Sequence, residues 1–338
     1  MAEADDVVWM VRGAWVSMCV RATCELGIVD ALDEPQSLPE LATRTSSDPA
    51  TLTRLLRVLV DLGLLSLGDE GRYAATSRGE VLRIGHPSGV RNLALMQTEI
   101  ISNLSVWQHL ADAVRHGDAV FENLHGVTLW AWLAANPEKE AVFDASMARR
   151  AALQVEAVRA AQALSGAALV VDVGGGQGAM LAGLLEHDPP LHGIVADRPE
   201  VAAAATARLA AAGLGERAWG EPADFFVMVP TGGDFYVLSN VLHDWNDAEA
   251  ASILRVVHAA MSTEAHLLVV ENVLDAPGRT PSQERDVHLV DLHMLLMFGA
   301  QERTKAEYDA LLVAAGFAPS TLGPSPNTWN VMETQPAN

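Results

Sequence analysis

Residues 169–179 read Leu-Val-Val-Asp-Val-Gly-Gly-Gly-Gln-Gly-Ala, and few folds admit such a run. Its first five residues are apolar except for Asp172, the composition of a strand buried on both faces. Glycines at 174, 175, 176 and 178 then let the backbone turn sharply, and 180–185 restarts as an apolar helix. A buried strand that turns at once into a helix opens a parallel βαβ unit, which needs helices on both faces of its sheet. The rest of the chain agrees. Strands are expected at 192–197, 235–238 and 266–270, with helices at 201–212, 248–261, 286–298 and 305–316. A closing strand pair is expected near 318–322 and 329–332. The fold class is a doubly wound, Rossmann-like α/β sheet.

The first 150 residues follow a helical period instead. Residues 7–32 form a long apolar stretch with Trp9, Met10, Trp15, Met18 and Val20, read as one helix buried on several sides and therefore seeking a second subunit. Ser37 with Glu40 three residues on, and Pro39 between them, forms a capping box. A helix from Asp48-Pro49 presents Leu52, Leu55, Leu56, Leu59 and Val60, and a short hairpin spans the turn at 68–71. Helix, turn, helix, hairpin is the order of a winged helix, a fold that often binds DNA. Residues 36–85, however, hold six acidic residues against six Arg, and the chain as a whole holds 43 acidic against 22 basic side chains. A DNA-reading wing needs a basic footprint, so this module is read as structural and no nucleic-acid partner is expected. Residues 93–147 gather Met96, Trp107, Trp130, Trp132, Phe143 and Met147, material for a core or for a wall facing a flat apolar ligand. The chain is divided at residues 1–150 and 151–338.

The glycine loop alone leaves two ligands open. Gly174, Gly176 and Ala179 fit G-x-G-x-x-[GA], the dinucleotide pattern. Asp172 with Gly174, Gly176 and Gly178 equally fits D-x-G-x-G-x-G, the form found in S-adenosylmethionine (SAM) sites. Asp197 ends the next strand 23 residues after Gly174 and suits a ribose of either ligand. The following segments favour SAM. Asp224-Phe225 offers a carboxylate and an aromatic ring for an adenine, and the strand after it ends in Ser239-Asn-Val-Leu-His243. A histidine at the C-terminal end of a strand is where such sheets keep their chemistry, and Asn246 with Glu249 caps the helix that follows.

With these pieces the chain resembles the class I SAM-dependent O-methyltransferases of the plant caffeate and bacterial polyketide-tailoring type. The resemblance rests on Val171-Asp-Val-Gly-Gly-Gly-Gln-Gly178, Asp197-Arg-Pro-Glu-Val201, Ala223-Asp-Phe-Phe226, Val241-Leu-His-Asp-Trp-Asn246, Glu271-Asn272 and Gln301-Glu-Arg-Thr304, and covers essentially the whole chain. It implies a seven-stranded sheet in the catalytic domain, a winged-helix dimerisation and substrate-lid domain before it, and a homodimer through the N-terminal helices. It implies SAM as cofactor, with S-adenosylhomocysteine as product, held by Asp172, Gly174, Gly176, Gly178, Asp197, Asp224, Phe225 and Ser239. It makes His243 the general base, with Glu271 and Glu302 beside it. Met147 would pack against an aromatic acceptor. Asn103, Trp107, Asn240, Asp244, Asp291 and Met294 complete the candidate acceptor set. Asn103 stands where the plant pattern carries a substrate-packing Met, so the acceptor pocket is expected to differ from the plant one; Ser239 stands where it often carries a Lys, which removes one donor near SAM.

The implied reaction is methyl transfer to an aromatic hydroxyl. Twenty Arg against two Lys, with many Ala, suggests a GC-rich bacterial genome and hence a secondary metabolite. The alternative is a relative that keeps the SAM pocket but performs hydroxylation, decarboxylation or a pericyclic step. No metal is expected: His288 and His293 are five apart and face different ways on their helix. Cys19 and Cys24 are read as reduced packing residues. With no apolar run of membrane length, and no positive region at Met1-Ala-Glu-Ala-Asp-Asp, no membrane partner is expected and the location is read as cytoplasmic.

Overall fold

The computed structural model describes residues 2–96, 104–164 and 166–337. The chain forms two compact units, Met1–Gln108 with Trp132–Arg149, and His109–Ala131 with Arg150–Asn338. The division crosses a single long helix, Pro137–Ala160, between Arg149 and Arg150.

In the first unit, strands β1 (Gln36–Ser37), β2 (Leu65–Leu67) and β3 (Arg72–Ala75) pair in the order β1-β3-β2, all antiparallel. The expected capping box is present, with the Ser37 N–H donating to the Glu40 carboxylate at 2.7 Å. Asp48 caps the helix Pro49–Asp61, whose Leu52, Leu56 and Leu59 enter a core with Ile28, Leu41, Leu65 and Tyr73. The first helix differs from the expectation. It is two helices, Ala2–Val11 and Gly13–Glu25, broken at Arg12 before a glycine that costs helix stability. Nor is it buried within the chain: Val7, Val8, Trp9, Met10, Val11 and Trp15 are all exposed.

The second unit is built on a seven-stranded sheet. Its strands are β4 (Leu169–Val173), β5 (His192–Asp197), β6 (Ala218–Pro222), β7 (Phe235–Ser239), β8 (His266–Glu271), β9 (Thr321–Leu322) and β10 (Asn330–Thr334). The order is β6-β5-β4-β7-β8-β10-β9, with β4 to β8 parallel and β10 antiparallel to both its neighbours. The strand β6, to which no range was assigned above, lies at the edge of the sheet, where Gly220 and Pro222 are tolerated. Alternation along the strands fills both faces: Val171, Leu238 and Leu267 pack with Ile253, Leu254 and Tyr308, whereas Val170, Val195 and Val237 pack with Leu181, Leu185 and Leu209. The chain winds outward from β4 in both directions, so the crevice at the C-terminal ends of β4 and β7 is the topological switch point. The segment His109–Ala131 packs here too, its helix Val120–His125 lying on helix Pro281–Phe298 and Trp130 stacking on Phe298 at 5.8 Å. Helix Pro281–Phe298 starts earlier than the periodicity suggested, because Thr280, Pro281 and Gln283 form its capping box. Among the described residues no helix is long and apolar enough to cross a membrane.

Candidate active site

The glycine loop leaves β4 with Gly174, Gly176 and Gly178 all at positive φ (71°, 57° and 74°), backbone that side-chain-bearing residues rarely adopt. The loop is packed closely from below. A Cβ on Gly175 would stand 2.4 Å from Asp172 Oδ2, and one on Gly174 would stand 2.9 Å from Val241 Cγ2 and 3.4 Å from the Phe225 ring. Asp197, at the tip of β5, accepts from the Gly176 N–H (2.9 Å) and from the Arg198 N–H (2.7 Å), tying the two strand ends together. Burial pushes the Asp172 carboxyl up to about 7, aided by the nearby charge of Asp197, and burial raises Asp197 as well. Asp224 turns the chain after β6 by accepting the Phe226 N–H at 2.9 Å. Phe225 and Phe226 meet Trp245 edge-on, at ring separations of 6.0 and 4.8 Å.

Whether this crevice fits SAM is tested by its polar atoms. Asp172 Oδ2, Ser239 Oγ and Asn240 Oδ1 are buried at the ends of β4 and β7 without a hydrogen-bond partner in the protein. Asn240 also holds φ at 56°, a left-handed conformation that a tight strand exit imposes on it. Buried polar atoms without partners point to a ligand. The carboxylates Asp172, Asp197 and Asp224 suit a ligand carrying a sulfonium and an ammonium. The residues present fit SAM.

Four residues beyond Ser239, a short 3-10 turn, Leu242–Asp244, presents His243 with only 3% of its surface exposed. Its Nδ1 lies 2.9 Å from Glu302 Oε1 and 3.6 Å from Glu271 Oε2, so the bond is to Glu302 and Glu271 acts through charge. A carboxylate can only accept, which places a proton on Nδ1 and turns Nε2 toward Asp244 Oδ1 at 3.4 Å. Glu271, the last residue of β8, uses Oε1 to accept the Val241 and Leu242 N–H groups (3.1 and 3.0 Å), so it also shapes the loop that carries the histidine. Glu302 is fully enclosed, and its N–H donates to Asp291 Oδ1 at 2.9 Å. Burial alone would lower the imidazole; the charges of Glu271, Glu302 and Asp244 outweigh it and push His243 up to about 10. Burial pushes Glu271 to about 7 and Asp244 to about 6, each restrained by the facing His243.

The same three side chains place one ligand atom each within 4.8 Å of one another, a spacing that a metal ion could also use. The short Nδ1–Glu302 contact is a hydrogen-bond length, which explains the arrangement with a proton alone.

The remaining predicted residues divide. Asp291 and Met294 lie on helix Pro281–Phe298, and Asp291 spends one oxygen on the Glu302 backbone. Met147 and Trp107 are half-buried in the first unit. Asn103 lies outside the described residues. Near His243 stand Arg150, which the sequence did not single out, and His293, which was considered above only as a metal ligand. Arg150 is close enough to draw Asp244 downward in pKa. His293 is pushed down to about 3 by burial, with Arg150 and His243 opposing its charge as well. Neither lies in a recognisable motif; only the packing reveals them.

Comparison with known proteins agrees with this geometry. Residues 107–318 match the model of an O-methyltransferase domain and residues 9–83 that of an O-methyltransferase dimerisation domain. Phenazine O-methyltransferase PhzM of Lysobacter antibioticus is 36% identical, over 97% of this chain and 94% of its own. The solved structure of LaPhzM superposes with a TM-score of 0.89 at 35% identity, covering 98% of this chain and 99% of that one. NcsB1, an O-methyltransferase from neocarzinostatin biosynthesis solved with SAM and 2-hydroxy-5-methyl naphthoic acid, gives a TM-score of 0.79 at 32% identity, covering 95% of this chain and 96% of that one.

Proposed function

The chain belongs to the O-methyltransferase family and is a SAM-dependent enzyme; we propose that it methylates a hydroxyl on an aromatic small molecule of bacterial secondary metabolism, with His243 as general base. The observation that supports the reading is the enclosed His243 held through Nδ1 by Glu302, while Nε2 faces Asp244 Oδ1 at 3.4 Å on the side proposed for the acceptor. SAM supplies an electrophilic methyl group. Asp172, Gly174, Gly176, Gly178, Ser239, Asp197, Asp224 and Phe225 would hold it. Met147, Asn103, Trp107, Asn240, Asp244, Asp291 and Met294 are proposed for the acceptor side. Residues 1–150 would serve dimerisation and 151–338 the chemistry, in the cytoplasm. The proton of the acceptor hydroxyl passes to His243 Nε2, while Glu302 and Glu271 stabilise the imidazolium that forms. A phenol near pKa ~10 and an imidazole raised to about 10 share that proton at little cost. A mass gain of one methyl on the product, with equimolar S-adenosylhomocysteine, tests the reaction; hydroxylated or decarboxylated product would overturn it.

The pKa sets a pH dependence. Below its raised pKa His243 carries two protons and accepts none, and an unionised phenol brings another. One proton must therefore leave before reaction, and kcat/KM is expected to climb with pH between 7 and 9, approaching ~10-fold per unit. A flat or falling profile would remove the base from the mechanism.

The exposed Val7, Trp9, Met10, Val11 and Trp15, within or next to the stretch that matches a dimerisation domain, support a homodimer through the N-terminal helices. Sedimentation velocity at micromolar concentration should show a dimer, and Met10→Glu with Trp15→Glu should shift it to monomer. A wild-type monomer would refute this.

A further inference from the structure

Arg303 has no role in the chemistry described so far, yet it is among the largest fully enclosed side chains of the protein. An enclosed guanidinium is costly unless its donors are met. Here they are met by one loop. Arg303 donates to the carbonyl of Leu242 (2.9 Å), to the carbonyl of Trp245 (2.8 Å) and, through Nε and Nη2, to Asp247 Oδ1 (3.0 and 2.8 Å). These acceptors bracket His243: one precedes it directly, and the others follow within four residues. The adjacent residue, Glu302, holds the ring of the same histidine. Main-chain bridging of Val273 with Arg303, and the Leu274 N–H donating to the Arg303 carbonyl at 2.9 Å, fix this dipeptide beside the end of β8, where Glu271 stands. Consecutive residues thus grip the backbone and the side chain of one histidine.

We propose that Arg303 is a positioning residue for methyl transfer: with Asp247 as its counter-ion it clamps the 242–247 loop and so sets the contact between His243 and Glu302. The proposal rests on His243 being the base. Arg303 meets neither acceptor nor SAM in this role; it acts through the loop. Its planar fork matters, because a lysine lacks the geometry to meet two carbonyls and a carboxylate together. Asp247 offers access to the clamp from outside, since its side chain is 67% exposed and the helix it begins keeps its own cap, Asn246.

The test uses the full-length enzyme and four variants: Asp247→Ala, Arg303→Lys, Arg303→Met and His243→Gln. Each is measured for single-turnover methyl transfer, SAM affinity, thermal midpoint and pH profile, with proton NMR of the imidazole N–H of His243. Asp247→Ala should bind SAM within twofold of wild type, with a near-wild-type thermal midpoint. Its turnover should fall by ~10-fold, since small misplacement of a reacting group is costly. The ascending limb of its pH profile should move, and its imidazole N–H should exchange faster. Arg303→Lys should retain more turnover than Arg303→Met. If Asp247→Ala leaves turnover, pH profile and N–H exchange unchanged while His243→Gln abolishes transfer, Arg303 is a packing residue and the proposal fails. If His243→Gln retains wild-type turnover, the assignment of the base fails instead. Should Arg303→Met not fold, Asp247→Ala decides by itself.

Discussion

His243→Gln is expected to lower kcat by ~10²–10⁴-fold while leaving the dissociation constant for SAM within a factor of two. Glutamine is neutral, reaches as far, and can still donate to Glu302, so the pocket keeps its shape. What it loses is a site for the acceptor proton. The separation of the two effects follows from the fold: His243 sits on the turn after β7, whereas the glycine loop leaves β4. Rapid-quench measurement of the methyl-transfer step, with titration calorimetry for SAM, checks both halves. The variant should also lose the rise of rate with pH for any acceptor that is not itself ionised. A fall of only two- or threefold would mean that orientation supplies the rate and that the proton leaves by another route.

Gly175→Ala should be the most damaging small substitution in the cofactor crevice. Its Cβ would lie 2.4 and 2.5 Å from the buried Asp172 carboxyl. Either the loop lifts or Asp172 tilts into the core, at a cost of about 1–3 kcal/mol in stability. The loop that would face SAM is displaced in both cases. SAM affinity should drop on the order of 100-fold, equivalent to about 2.8 kcal/mol. Gly176→Ala is the control, since no atom stands within 4 Å of its Cβ and only the positive φ is strained, a cost of about 1 kcal/mol. Equal SAM affinities for the two variants would show that the packing beneath the loop does not govern binding.

Much of this site was legible from the chain because its motifs are local. The β4 strand and its glycines, Asp197 at a strand tip, and the Asn246–Glu249 cap all declare themselves within ten residues, and the structure places them as expected. What was not legible depends on partners distant in sequence. The apolar character of residues 7–32 calls for cover without saying from where; among the described residues Trp9 and Trp15 are exposed, as a stretch seeking a second subunit would leave them. The β6 strand hides behind Gly220 and Pro222, residues that an edge strand tolerates and an interior one does not. Glu302 and Arg303 are neighbours in sequence, and in the fold each holds part of the 242–247 loop. Spacing along the chain carries no signal for such an arrangement, because the loop and its holder are 60 residues apart.

The position of β10 bears on how the enzyme is made. It lies between β8 and β9, inside the sheet, with Asn330 in register opposite Glu271. During synthesis β4 to β8 emerge first, and β8 then waits with an unpaired edge until residues 330–334 leave the ribosome. Such an edge can template pairing with other chains. Glu271, beside His243, therefore acquires its final surroundings among the last events of folding, and a ribosome-bound nascent chain halted before Asn330 would hold the glycine loop, Asp197 and His243 with the far edge of β8 still open.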